Sequence, residues 1–199
     1  MLTLTEKIVF IIIALSAMGA SYITFGKMFR AIGRGAQPIN WKDAILNFSK
    51  GLKVFISQNT LFKSRPVIGF IHAMVAWGFT LYLIVNIVDV LYGFIPGFHF
   101  FPNYLVGKLY RLFVDFFTVM VLCGIIYFLV RRFIFNDNRL IINEPVMLNA
   151  AARSGMRTDS FIVSCFILFH VGARFLSASF EIAKNSADSF QPAATMVSL

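Results

Sequence analysis

Cysteine and acidic residues are scarce in this 199-residue chain, and each scarcity excludes a chemistry. The two cysteines, Cys123 and Cys165, stand alone in separate apolar segments, with no CxxC or CxH spacing. The chain therefore supplies no iron–sulfur cluster, zinc site or c-type haem attachment, and both thiols read as small packing groups. Only 9 residues are Asp or Glu, and no paired acids, Ser/His/Asp arrangement or glycine-rich nucleotide motif occurs. Bond-making catalysis has no visible machinery here. No internal repeat or low-complexity tract is evident either.

What the chain has in abundance is apolar surface. It is 58% apolar with 24 Phe and a mean hydropathy of +0.77, the composition of an integral membrane protein. The pattern predicts an all-α membrane domain over 1–199, with four transmembrane helices in a bundle at about 8–25, 66–90, 109–130 and 160–180. Asp159 or Thr158 would cap the fourth. The first segment begins with Glu6 beside Lys7 and is long for a signal peptide, so it is read as a span. The net charge of +9 would point to nucleic acid on a soluble protein. Here the basic residues cluster between hydrophobic segments, which reads as topology and lipid contact, with no nucleic acid partner.

Eight Lys or Arg lie from Lys27 to Arg65 and five from Arg131 to Arg157, together 13 of 18. Both loops fall on one side if four helices alternate, and the positive-inside rule makes that side cytoplasmic, with both termini outside. Within the first loop, Asn40 to Gln58 reads as an amphipathic helix. Trp41, Ile45, Phe48, Leu52, Phe55 and Ile56 share one face, and Lys42, Asp43, Ser49, Lys50 and Lys53 the other. Such a helix lies among lipid headgroups or docks a cytoplasmic partner. The aromatic, Gly- and Pro-containing stretch from Asp89 to Lys108 reads as a re-entrant or interfacial cap.

The longest uncharged run, 23 residues from Pro66 to Val88, contains His72. An intramembrane imidazole is buried against protein, lines a watery cavity or holds a metal, so it is a functional hypothesis by default. Gly69 and Gly78 flank it, leaving room for a flat ligand or a close helix. His170 sits in the fourth span, with Arg174 one turn later. Two histidines on two membrane helices are what a bis-histidine b-type haem needs, so both are candidate metal ligands. For each, an interhelical hydrogen bond is the structural alternative, and for His170 a quinone pocket is another. Depth argues against pairing them. His72 lies six residues past Pro66 and His170 eleven past Asp159, ~9 Å against ~16 Å. Arg65, two turns before His72 on the same face, would neutralise haem propionates or snorkel to the interface, with Lys63 close by. Arg111 and Asp115 are spaced as an i, i+4 pair, or Asp115 relays a proton to a quinone. His99 reads as an interfacial loop residue.

The segments RPVIGFIHAMVAWGF and FILFHVGARFLSASFEIAK, with the orientation above, carry a resemblance that covers Met1 to about Gln191. The chain resembles the membrane cytochrome b domain of heterodisulfide-reductase-like iron–sulfur oxidoreductases, a domain similar to the gamma subunit of respiratory nitrate reductase. The resemblance implies a haem b electron-transfer module in the bacterial cytoplasmic membrane. It would pass electrons between a cytoplasmic iron–sulfur module, or electron-transfer flavoprotein, and menaquinone. Arg65 and Arg174 would then stand beside the haem ligands. The family has five helices, and its second can carry two ligating histidines about ten residues apart. Only His72 matches, and Tyr82 stands at the second position. The family's partner histidines lie on a fifth helix, so the expectation is a further helix and an iron–sulfur domain after Leu199. The alternative is a small non-redox membrane anchor or permease component.

Overall fold

Thr3 opens the first helix with a reciprocal cap. Its Oγ1 accepts from Glu6 N at 3.4 Å, and Glu6 Oε2 accepts from Thr3 N at 2.7 Å. Helix α1 then runs Leu4–Ile32, past both limits of the apolar run, because Lys27 and Arg30 are good helix formers with stems long enough to reach water. Asn40 caps α2, Trp41–Ser57, by accepting from Lys42 N at 3.1 Å. Gln58 ends α2 in the left-handed region at φ 48°, a short α3 follows at Asn59–Ser64, and Pro66 opens α4, Pro66–Phe94. The remaining helices are α5, Leu105–Leu129, α6, Ala150–Asn185, and α7, Pro192–Ser198. Between α5 and α6, Val130–Ile134 forms one wider π turn, in which Phe135 N donates to Val130 O at 3.0 Å. The structure, a computed structural model, describes residues 2–35, 40–102, 104–135, 150–185 and 188–198. The centre of the second basic loop, with Arg139, lies outside the described residues.

The protein is all-α, with no strand among the described residues. Four helices are long and apolar enough to cross a membrane, over Leu4–Ile32, Pro66–Phe94, Leu105–Ile134 and Gly155–Lys184. These are the four spans read from the sequence, each longer than its apolar run. One helix start is corrected. Thr158 and Asp159 do not cap the fourth span but lie inside α6, which begins at Ala150. The stretch Ala150-Ala151-Ala152-Arg153 has high helix propensity and extends the helix ahead of its apolar part.

The chain divides into two units, 1–59 with 86–99, and 60–85 with 100–199. In the first, the start of α1 meets the end of α4: Leu2 N donates to Gly93 O at 3.1 Å and Lys7 Nζ to Phe94 O at 3.2 Å. That neighbourhood is what alternate crossing of two spans requires. The apolar residues of α2 face outward, with Trp41 and Phe48 each 72% exposed.

The second unit holds the core, Tyr82, Val85, Val114, Val121, Ile125 and Val171, from α4, α5 and α6. In lipid such helices gain little from hydrophobic burial against one another, so close packing decides. Gly78 and Gly124 permit it. A Cβ on Gly78 would run into Val121, and one on Gly124 would stand 2.5 Å from Val75 Cγ2. The three helices run antiparallel, so the Arg65 end of α4, the Arg131 end of α5 and the Arg157 end of α6 lie together.

Candidate functional site

His72 is on the open surface of the second unit, on α4 one turn beyond Gly69. Its ring makes one aromatic contact, edge-on to Phe128 of α5 at 6.2 Å between centroids. At 100° per residue, His72, Phe79 and Leu83 fall within about 40° of one line along α4, and Arg65 is the residue just before the helix. All four are exposed. The imidazole therefore stands on an uncovered helix face, with a guanidinium two turns nearer the basic end. The rooms beside the flanking glycines are taken by protein. A Cβ on Gly69 would lie 2.9 Å from Leu61 C and O, and Gly78 is filled by Val121 and Phe117. Of the two uses read for those glycines, the close neighbouring helix is the one present.

His170 lies in a different environment. It is half-buried, its ring parallel to Phe166 at 6.1 Å and edge-on to Tyr82 at 6.2 Å. Tyr82 is buried, and its hydroxyl meets Thr118 Oγ1 at 2.6 Å. Thr118 Oγ1 in turn donates to Val114 O at 2.6 Å, which leaves Tyr82 as the donor to Thr118. Tyr82 thus closes a polar chain through the core. His170 is level with Tyr82, ten residues from His72, so the two imidazoles are ~15 Å apart along the bundle. The structure does not bring His72 and His170 to one point. Arg174 is half-buried one turn beyond His170.

Arg111 and Asp115 are corrected. They do not pair with each other. Arg111 Nε donates to Asp188 Oδ2 at 2.9 Å, and Asp115 accepts from Ala193 N at 2.7 Å and Ala194 N at 3.0 Å. Asp115 is 3% exposed and is committed to the N-terminus of α7, where the carboxylate satisfies two orphan N–H groups. Helix geometry allows the i, i+4 pair, but the C-terminal segment offers each side chain a better partner. Lys108 Nζ lies over the Phe190 ring at 5.5 Å and completes the clasp. In the first unit, His99 is exposed with its ring 5.7 Å from Tyr92.

Sequence reasoning missed Phe128 as the ring beside His72, and it read Arg131 and Arg132 as a topological stop alone. Phe128 lies on the last turn of α5, and Arg131 and Arg132 lie in the π turn that follows it. The contact of Phe128 with His72 is set by the packing of α4 on α5, which no spacing within one helix displays. Between α4 and α5, Leu81, Ile84, Phe100, Val106, Leu109, Tyr110, Phe113 and Phe117 line a groove of about 450 Å³. It holds none of the candidate ligands.

The residues fit a haem in part. One imidazole is open to a ligand, and Arg65 stands on its face where propionates would need neutralising. A second imidazole is not at that level, and no group of three His, Cys, Asp or Glu that could hold a metal ion occurs among the described residues. His72 is thus the residue of this chain that would hold such a group. Comparison of the chain with protein-family models, with curated proteins and with solved structures finds no significant match in any of the three.

Proposed function

We propose that the chain is the membrane part of a quinone-linked electron-transfer system, holding one b-type haem through His72 near the cytoplasmic face. In this reading the haem supplies one-electron chemistry when bound, and the protein sets its position and surroundings. His72 binds the iron, Arg65 holds propionate charge, and Phe128 walls one side of the imidazole. His170 and Arg174 lie too deep to serve that iron, and a quinone headgroup is the better use for them. Menaquinone is the quinone the resemblance implies. A cytoplasmic iron–sulfur module or electron-transfer flavoprotein is the electron partner. The membrane is the bacterial cytoplasmic membrane that the resemblance implies, and the 13 basic residues of the two loops support an N-terminus outside under the positive-inside rule.

The observation that carries this reading is the uncovered α4 face with His72 and Arg65 two turns apart. A polar imidazole left uncovered on a spanning helix is costly in hydrocarbon unless a ligand or partner meets it. The alternative, a non-redox anchor or permease component, is favoured by the filling of the Gly69 and Gly78 spaces with helix and side chain. A pyridine haemochrome assay on the purified chain separates the two. Haem b in proportion to protein, lost in His72→Ala, is the expected result; haem-free protein inserted in membranes would favour the anchor.

A further inference from the structure

Helix α2, Trp41–Ser57, is 17 residues long, and every one of them is exposed. An isolated helix of that length is marginal in water, and helices in proteins draw most of their stability from burying an amphipathic face. At 100° per residue, Trp41, Ile45, Phe48, Leu52, Phe55 and Ile56 fall in one stripe ~100° wide. Both ends of the helix are defined by the chain. Asn40 caps the start by accepting from Lys42 N, and Gln58 turns the backbone away at φ 48°. The stripe that should stabilise the middle is left exposed by the described residues.

Charge and tether identify its cover. Lys42 and Lys53 lie ~90° and ~110° from the middle of the stripe on one flank, and Lys50 lies ~170° away, on the far side. The single acid of the helix, Asp43, accepts from Asn40 Nδ2 at 2.8 Å. None of the three lysines has an ion-pair partner among the described residues. With the stripe at the acyl boundary, Lys42 and Lys53 would extend to the level of the lipid phosphates, ~16 Å apart along the helix. Residues 33–40 and 58–65 tie α2 to the spans Leu4–Ile32 and Pro66–Phe94. Each connection is at most ~30 Å of chain, so α2 stays near the membrane surface. We propose that α2 docks on anionic phospholipid, its stripe in the acyl boundary, Lys42 and Lys53 on headgroup phosphates and Lys50 toward water. A cytoplasmic protein was the other cover open from the sequence, and the unpaired flank lysines favour lipid. This surface is separate from the His72 face and does not depend on haem.

The test is amide hydrogen exchange of α2 in the full chain, one copy per nanodisc of phosphatidylcholine, with or without phosphatidylglycerol. Protection of α2 reads its docked fraction, and α4 in the same sample reports whether the bundle is folded. With phosphatidylglycerol the wild-type helix should be protected. Lys42→Gln/Lys53→Gln should lose about thirty-fold in protection, the loss expected for two basic residues at a charged headgroup layer. Lys53→Gln alone should lose about five-fold, and Lys50→Gln less than about two-fold, since its ammonium stands about a Debye length from the phosphates. Equal losses in those two single variants would show diffuse attraction and overturn the orientation. Without phosphatidylglycerol, wild type and the double variant should exchange alike; an undiminished gap there would overturn the role of anionic lipid. Free exchange of α2 in both discs, with α4 protected, would overturn the lipid assignment in favour of a protein partner. Protection confined to discs holding two chains would overturn it in favour of a second copy.

Discussion

The two ends of α5 treat charge in opposite ways. At the Leu105 end, Arg111 is paired with Asp188, and Asp115 closes onto the N–H groups of Ala193 and Ala194. At the other end, Arg132 Nη2 donates to Met156 O and the Arg157 guanidinium lies over Phe133, while Arg65, just before α4, and His72 on it are exposed. The first end is closed by the chain's own C-terminal segment. The second presents an imidazole, with Arg65 two turns before it, to whatever lies outside the chain. Stability and ligand binding should therefore separate along one helix. Substitutions at the closed end should cost folding energy, and those at the open end should cost a ligand.

The largest expected effect on folding is at Asp115. Asp115→Ala leaves the buried Ala194 N–H and the part-buried Ala193 N–H without their acceptor, and hydrogen bonds to a charged group contribute ~1.5–3 kcal/mol each. A loss of about 2–4 kcal/mol in a denaturant titration in detergent is expected, with protease cleavage appearing in 188–198. An unchanged midpoint would show that the clasp does not hold the bundle. Next comes Tyr82→Phe, which removes the hydroxyl donated to Thr118. Thr118 keeps its bond to Val114 O, so the expected cost is ~1 kcal/mol. A cost of several kcal/mol would place another essential partner on that hydroxyl. The smallest is Asp188→Asn. The Arg111–Asp188 pair is 27% and 25% exposed, so solvent screening holds its contribution to ~0.5 kcal/mol. High salt should shrink even that, and a salt-independent loss would argue against an ion pair. Arg65→Gln at the open end should leave the unfolding midpoint where it is; a shift comparable to that of Asp115→Ala would erase the contrast between the two ends.

What was legible in the sequence follows the range of the forces involved. The four spans were readable because bilayer thickness imposes a run length, and Pro66 to Val88 displays it without interruption. Helix ends were not, because caps and propensity act locally while the eye follows hydropathy. Thr3 and Glu6 form a capping box that the reading took as a charged start, and Ala150 begins a helix whose apolar part starts a turn or more later. Asp115 was misassigned for a different reason. The i, i+4 rule sees only one helix, and its true partners lie 78 and 79 residues away. Helix α7 itself was missed, although Pro192 at a first helical position was a usable signal. Depth was half right. Counting from Asp159 put His170 ~7 Å beyond His72. The ring contact with Tyr82, ten residues along α4 from His72, in fact places His170 ~15 Å beyond His72. The open face of His72 could not be read from sequence at all, since it depends on which sides α3 and α5 cover.

The central claim is that His72 offers iron a single axial ligand from this chain. It is tested most directly by the absorption and spin state of the purified 199-residue chain reconstituted with haem b, beside His72→Ala and His170→Ala. The account predicts a five-coordinate, high-spin spectrum that is lost in His72→Ala and unchanged in His170→Ala, because the two imidazoles stand ~15 Å apart along the bundle. A low-spin spectrum that turns high-spin in His170→Ala would contradict it, since both histidines would then hold one iron.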